Sequence, residues 1–178
     1  MTKILNYLDI QTPKDVWFEL LQLHPLDKED IFFEPFAGEN SLFDQVDCSV
    51  KYWTEITKGY NCFDFKEKDK IQVIYTNPPY ICSIPNKKGI YKERNAVYYF
   101  MEYFMINYPN LKKIGFIMNQ CVFSSFTPKR LKKLQDLGFT ISTMTLFNCN
   151  YWWGLQYFVI FNKEENNCYK YIEKTFIK

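Results

Sequence analysis

The apolar run at residues 73–75 is followed closely by Asn77-Pro78-Pro79-Tyr80, and two adjacent prolines leave the chain few ways to continue. Each proline fixes φ near about −65° and offers no N–H. Strand pairing therefore stops there, and a buried strand must pass into a rigid loop that serves as a carbonyl platform. Other short apolar runs fit the same plan. Residues 31–33 read as a buried strand leading straight into Glu34-Pro35-Phe36-Ala37-Gly38-Glu39-Asn40-Ser41, and residues 49–53 and 114–118 read as further strands. Helical signals lie around them. Thr12 reads as an N-cap with Pro13 at the first helical position, followed by Asp15 and an apolar stripe of Val16, Trp17, Leu20, Leu21 and Leu23 that ends by His24. Residues 96–108 read as an aromatic helix, and residues 127–137 as another, opened by Thr127-Pro128 and closed by Gly138. Residues 139–147 and 157–161 read as an antiparallel pair flanking a turn, and the basic tail after Asn162 as solvated or a last short element. Strands alternating with helices predict an α/β fold: a doubly wound, mostly parallel sheet ending in an antiparallel hairpin.

A chain of 178 residues, 47% hydrophobic and 24% charged, suits one globular domain over residues 1–178. Its 20% aromatic share serves mostly as core, with flat surfaces for stacking bases as the other use. A net charge of +2 gives no global attraction to polyanions, so local basic clusters would have to supply it. No apolar run approaches the roughly 20 residues that span a bilayer, and the N-terminus lacks a signal-peptide pattern. An intracellular protein with no membrane partner is expected. The six cysteines show no CxxC spacing and the chain has one histidine, which excludes a zinc-site pattern and predicts reduced thiols. His24 precedes Pro25 at a helix end, far from any nucleophile motif, which argues against a histidine-dependent triad.

In an open parallel sheet, ligands bind beyond the carboxyl ends of the strands, and three loops fall there. In the first, Ala37 and Gly38 allow close backbone approach, while Asn40 stands where a second glycine is usual and tolerates positive φ. In the second, Glu55 follows the strand at residues 49–53, where a carboxylate can accept from both ribose hydroxyls; a plain surface glutamate is the simpler reading. The third, Asn77-Pro78-Pro79-Tyr80, suits a chemical problem: an exocyclic amine is a poor nucleophile because its lone pair is delocalised. If the Asn77 side-chain oxygen and the Pro78 carbonyl each accept one N–H, they favour the pyramidal amine that attacks a methyl sulfonium in line. Tyr80 would stack on the flipped base. Neither a metal nor a covalent nucleophile is needed.

The glycine loop and the Asn-Pro-Pro-Tyr motif, in this order, resemble those of the amino-group (N6-adenine or N4-cytosine) DNA methyltransferases, over residues 12–161. The resemblance implies a Rossmann-like methyltransferase sheet with S-adenosyl-L-methionine as cofactor. Thr12-Pro13 and the helix after it look like the cofactor-side N-terminal motif, and Phe33-Glu34-Pro35-Phe36-Ala37-Gly38 like the methionine-binding loop. Glu55 matches the ribose-binding acid, Asp64 the acid that hydrogen-bonds the cofactor's adenine, and Phe65 a residue flanking that ring. Asn77, Pro78, Pro79 and Tyr80 match the catalytic motif, which implies methylation of adenine N6 in DNA. RNA adenine and a protein glutamine amide are the alternative acceptors, since an amide nitrogen poses the same problem, and a non-catalytic methyltransferase-like subunit is a third reading. Two departures stand out: Glu39-Asn40 replaces the usual residue and glycine, and no separate target-recognition domain follows. Recognition would then come from a partner subunit or a homodimer.

Residues 81–95 carry Lys87, Lys88, Lys92 and Arg94 against Glu93, with Tyr91 interleaved, and read as a phosphate-contacting loop or an ordinary solvated one. Lys129, Arg130, Lys132 and Lys133 read as the solvated face of a helix. Tyr151-Trp152-Trp153-Gly154 reads as core closure in preference to a wall of the base pocket, and residues 119–125 as a border of that pocket with no assigned role.

Overall fold

A computed structural model of the protein describes residues 11–80, 82–86, 89–93, 96–149, 151, 154–163 and 170–175. The elements are α1 (Lys14–Leu23), β1 (Ile31–Glu34), β2 (Val50–Trp53), β3 (Val73–Thr76), β4 (Cys82–Asn86), β5 (Gly89–Glu93), α2 (Ala96–Asn107), β6 (Lys113–Asn119), α3 (Gln120–Phe123), α4 (Pro128–Asp136), β7 (Phe139–Asn148), β8 (Gln156–Lys163) and β9 (Lys170–Thr175). Seven strands form one sheet in the order β2-β1-β3-β6-β8-β7-β9, and β4 and β5 pair apart from it. β2, β1, β3 and β6 run parallel, β8 is antiparallel to both β6 and β7, and β9 is parallel to β7. This is the mostly parallel α/β sheet with an antiparallel end that the alternation of strands and helices predicts.

Strands buried on both faces send alternate side chains to two cores. Phe32, Val73, Tyr75, Ile117, Phe158 and Ile160 join Val16, Trp17 and Leu20 of α1 on one face. Phe33, Ile74, Ile114, Phe116, Met118, Val159 and Phe161 meet α2 and Leu134 of α4 on the other. The aromatic content is thus mainly core: Phe33, Phe104 and Tyr108 pack ring to ring between sheet and α2. Gly115 makes this density fit, since a Cβ there would lie 2.7 Å from Tyr75 and 2.8 Å from Phe158, whose rings meet edge-on at 5.1 Å.

Two local expectations change. The N-cap of α1 is Pro13, without a side-chain cap, and Thr12 points its hydroxyl elsewhere. Between the glycine loop and β2 the chain makes a single 3-10 turn, Phe43–Gln45. The expected loop after Tyr80 contains the β4–β5 hairpin, with Lys87, Lys88 and Arg94 outside the described residues. Of the two readings of the tail, the last short element holds: it is β9, paired to β7. By contrast, α4 opens as read, with the Thr127 hydroxyl accepting from the Arg130 N–H.

Candidate functional site

From β1 the chain crosses to β2 on one side and then returns to β3 on the other, so the strand order reverses between β1 and β3. Parallel strands put their carboxyl ends together, and the reversal opens a crevice there. Residues 34–40 follow β1, residues 54–58 follow β2 and residues 77–80 follow β3, so all three loops singled out from the sequence line one edge of the sheet.

The first two loops are laced together. The Thr54 N–H donates to the Glu34 carbonyl at 3.0 Å, the Ala37 N–H to the Thr54 carbonyl at 3.0 Å, and the Thr54 hydroxyl to the Pro35 carbonyl at 2.9 Å. Glu55 is buried and accepts from the Gly38 N–H at 2.8 Å through one oxygen. Its other oxygen takes the Thr57 N–H and hydroxyl at 3.0 and 2.8 Å. A carboxylate has about four lone-pair positions, so Glu55 retains capacity while it props the glycine turn. The Lys58 ammonium donates to the Gly38 carbonyl at 2.6 Å and lies over the Trp53 ring. Gly38 at φ +52° and Asn40 at φ +63° both adopt the left-handed region, which asparagine tolerates better than most residues.

Over this turn lies Gln11. A Cβ on Gly38 would fall 1.9 Å from the Gln11 side-chain oxygen, which itself accepts the Glu39 N–H at 3.2 Å. Beside it, the buried Thr12 hydroxyl accepts from the Asn77 side-chain amide at 3.0 Å. Residues 11 and 12 therefore bridge the β1 loop and the β3 loop across the crevice.

Three acceptors here have no partner: Glu34 Oε2, Asn40 Oδ1 and Asn77 Oδ1, each enclosed. Burial pushes the Glu34 carboxyl well above the usual carboxylate range, and Asp44 and Glu55 add to this while a backbone hydrogen bond at Phe43 opposes it. For Asn77 the local reason lies in the prolines. An asparagine oxygen commonly takes the N–H two residues on, and neither Pro78 nor Pro79 has one. Tyr80 is half-buried against the α2 core, its phenol pushed up by burial and opposed by a backbone hydrogen bond at Asn119, at the end of β6.

The two remaining residues implied by the resemblance lie after β2. Asp64 is exposed at the end of a 3-10 turn, Cys62–Asp64, whose cap is Asn61, not Asp64. Phe65 stacks on Phe33 at 4.4 Å and meets Tyr52 edge-on, and Phe36 packs edge-on against Phe100. Thr54, Lys58 and Gln11 had no signal in the sequence, because each works through contacts that only the sheet creates.

Other features fall away from the crevice. His24 is buried, 2.6 Å from the Thr145 hydroxyl and packed on Phe158. On α4, Lys132 pairs with Asp136, Lys133 with Glu102, and Arg130 lies over Tyr98. Tyr151 donates to Asp15, and Trp152 and Trp153 lie outside the described residues. No disulfide joins Cys48, Cys62, Cys121 or Cys149, and the described residues hold no metal-binding cluster and no helix long and apolar enough to cross a membrane. A cavity of about 520 Å³ lies at the opposite, amino-terminal edge of the sheet, lined by Asp27, Asp30, Lys112 and Lys163 among others.

No family model and no curated protein matches the sequence. Solved structures do match its fold. The methyltransferase subunit of a type I restriction-modification system from Streptococcus thermophilus superposes with a TM-score of 0.65 at 16% identity, covering 92% of this chain and 47% of that one. A candidate class I S-adenosylmethionine-dependent methyltransferase from Listeria monocytogenes gives 0.63 at 13% identity over 90% of this chain and 62% of that one. The type I restriction enzyme EcoKI M protein gives 0.61 at 12% identity over 97% and 49%. The chain thus spans between 47% and 62% of the length of these three structures. At such identities the likeness is one of fold, and the fold is the Rossmann-like sheet of the S-adenosylmethionine-dependent methyltransferases.

Proposed function

We propose that this chain is an S-adenosylmethionine-dependent methyltransferase acting on the N6 amino group of adenine in DNA, its residues 1–178 forming one catalytic domain. The observation that carries this reading is Asn77 Oδ1: an enclosed acceptor with no partner, on a proline-stiffened loop at the carboxyl end of β3, beside the glycine turn. An amine that gives one N–H to this oxygen and one to the Pro78 carbonyl has its lone pair turned away from its ring. Tyr80 offers the adjoining aromatic surface.

The β1 loop suits the cofactor. Gly38 carries no side chain, so the Gln11 amide packs directly on the turn where a ligand would replace it, and Glu34 and Asn40 add enclosed acceptors that a ligand amine would satisfy. Glu34, Pro35, Phe36, Ala37 and Gly38 would hold the methionine part with Pro13, Glu55 the ribose, and Asp64 and Phe65 the adenine. Bound there, S-adenosylmethionine supplies an electrophilic methyl on a sulfonium. Methylation of DNA is supported by the family resemblance and by the restriction-modification subunits among the structures of like fold. A recognition subunit or second copy would then choose the sequence.

The test is tritium transfer from labelled cofactor to duplex DNA, RNA and protein acceptors in parallel. Label in DNA adenine is expected, and label confined to protein or RNA overturns the acceptor. Asn77→Ala is expected to lower transfer by at least roughly 100-fold, with S-adenosylhomocysteine affinity by calorimetry within about twofold of wild type, since the loss falls on the reacting amine and not on the cofactor.

A further inference from the structure

Thr12 does not cap α1, and its hydroxyl receives the side-chain amide of Asn77, 65 residues away, at 3.0 Å. An asparagine side chain has a donor end and an acceptor end of nearly the same shape, and a half-turn exchanges them. With the wrong end forward, Asn77 would point two N–H groups at an incoming amine and repel it. Two features select the right end. Pro78 and Pro79 offer no N–H to draw Oδ1 back onto its own loop, and the Thr12 hydroxyl holds Nδ2. The outcome is the enclosed, unpartnered Oδ1 described above. Thr12 is 5% exposed, so water has little access from which to replace it.

We infer that Thr12 is a positioning residue for Asn77, not a cofactor contact: its hydroxyl holds the amide nitrogen so that the Asn77 oxygen faces the acceptor amine. This rests on the reading of Asn77 given above, and it departs from the cofactor-side role that the resemblance implies for Thr12. Valine has nearly the same shape as threonine and lacks the hydroxyl, whereas serine keeps it.

The experiment uses the full chain in two arms. In the ligand-free protein, the Asn77 side-chain amide is assigned in nitrogen-15 spectra by its loss in Asn77→Ala, and its hydrogen exchange is followed. Exchange at least about tenfold faster in Thr12→Val, with Thr12→Ser near wild type, is expected; unchanged exchange in Thr12→Val overturns the proposal. In the second arm, kcat for methyl transfer to duplex DNA is set beside the calorimetric Kd for S-adenosylhomocysteine. Thr12→Val is expected to lower kcat about 10- to 100-fold at unchanged Kd, with Thr12→Ser restoring it. A loss confined to Kd, or an unchanged kcat, would make Thr12 a cofactor contact or a bystander. Should wild type transfer no methyl to any acceptor, the functional reading fails, and the exchange arm still decides whether Thr12 orients Asn77.

Discussion

Glu34 ends a buried strand with a carboxyl group that water scarcely reaches, 3% exposed, and with Asp44 and Glu55 as its charged neighbours. Its value is raised in the folded chain, so the folded state favours the protonated form. The associated stability is complete below the ordinary value of 4.5 and is lost as pH rises through the folded value. Glu34→Gln keeps the shape and removes the ionisation. Urea unfolding from about pH 4 to about pH 8 is expected to show the variant gaining on wild type as pH rises, and a difference that stays flat with pH would refute the assignment. A ligand ammonium at this point would favour the ionised form, so bound ligand is expected to lessen the same pH dependence.

At the scale of elements, the sheet owes its density to pairs of rings that share one small residue. Gly115 lies in the middle of β6, where its missing side chain makes room for Tyr75 of β3 and Phe158 of β8. Gly115→Ala is expected to destabilise the fold by roughly 1–3 kcal/mol through overpacking, read as a lower urea midpoint with an unchanged slope. Such elements were legible in the sequence where burial and pattern coincide. The apolar runs that became β1, β3 and β6, the Thr127-Pro128 start of α4 and the antiparallel β7–β8 pair all lie where their residues say. The β4–β5 hairpin reads as a loop in the sequence because its charged residues hide any strand pattern. The tail admits a last short element from its sequence, but its pairing as β9 is not legible there, because its partner β7 precedes it with β8 between them. In the site, the three loops could be read because glycine, proline and asparagine announce special backbone conformations at the ends of strands. Thr54, Lys58 and Gln11 could not, since their partners are carbonyl and amide groups of other loops, and backbone groups leave no mark in a sequence.

For the whole molecule, a site on the edge of a parallel sheet ties ligand binding to global stability. A ligand that binds only the folded chain adds RT ln(1 + [L]/Kd), so S-adenosylhomocysteine at 100 times its Kd is expected to stabilise by roughly 2.7 kcal/mol. A melting temperature unmoved by saturating ligand would deny the cofactor site altogether, whatever the acceptor. The same edge has a consequence for the order of assembly. Gly38 and Glu55 are 17 residues apart and meet once β1 and β2 pair, but Thr12 reaches Asn77 only after β3 has inserted on the far side of β1. The Gly38–Glu55 contact thus depends on two strands, and the Thr12–Asn77 contact on three. A chain that ends between residues 55 and 77 carries both partners of the first contact and only one partner of the second.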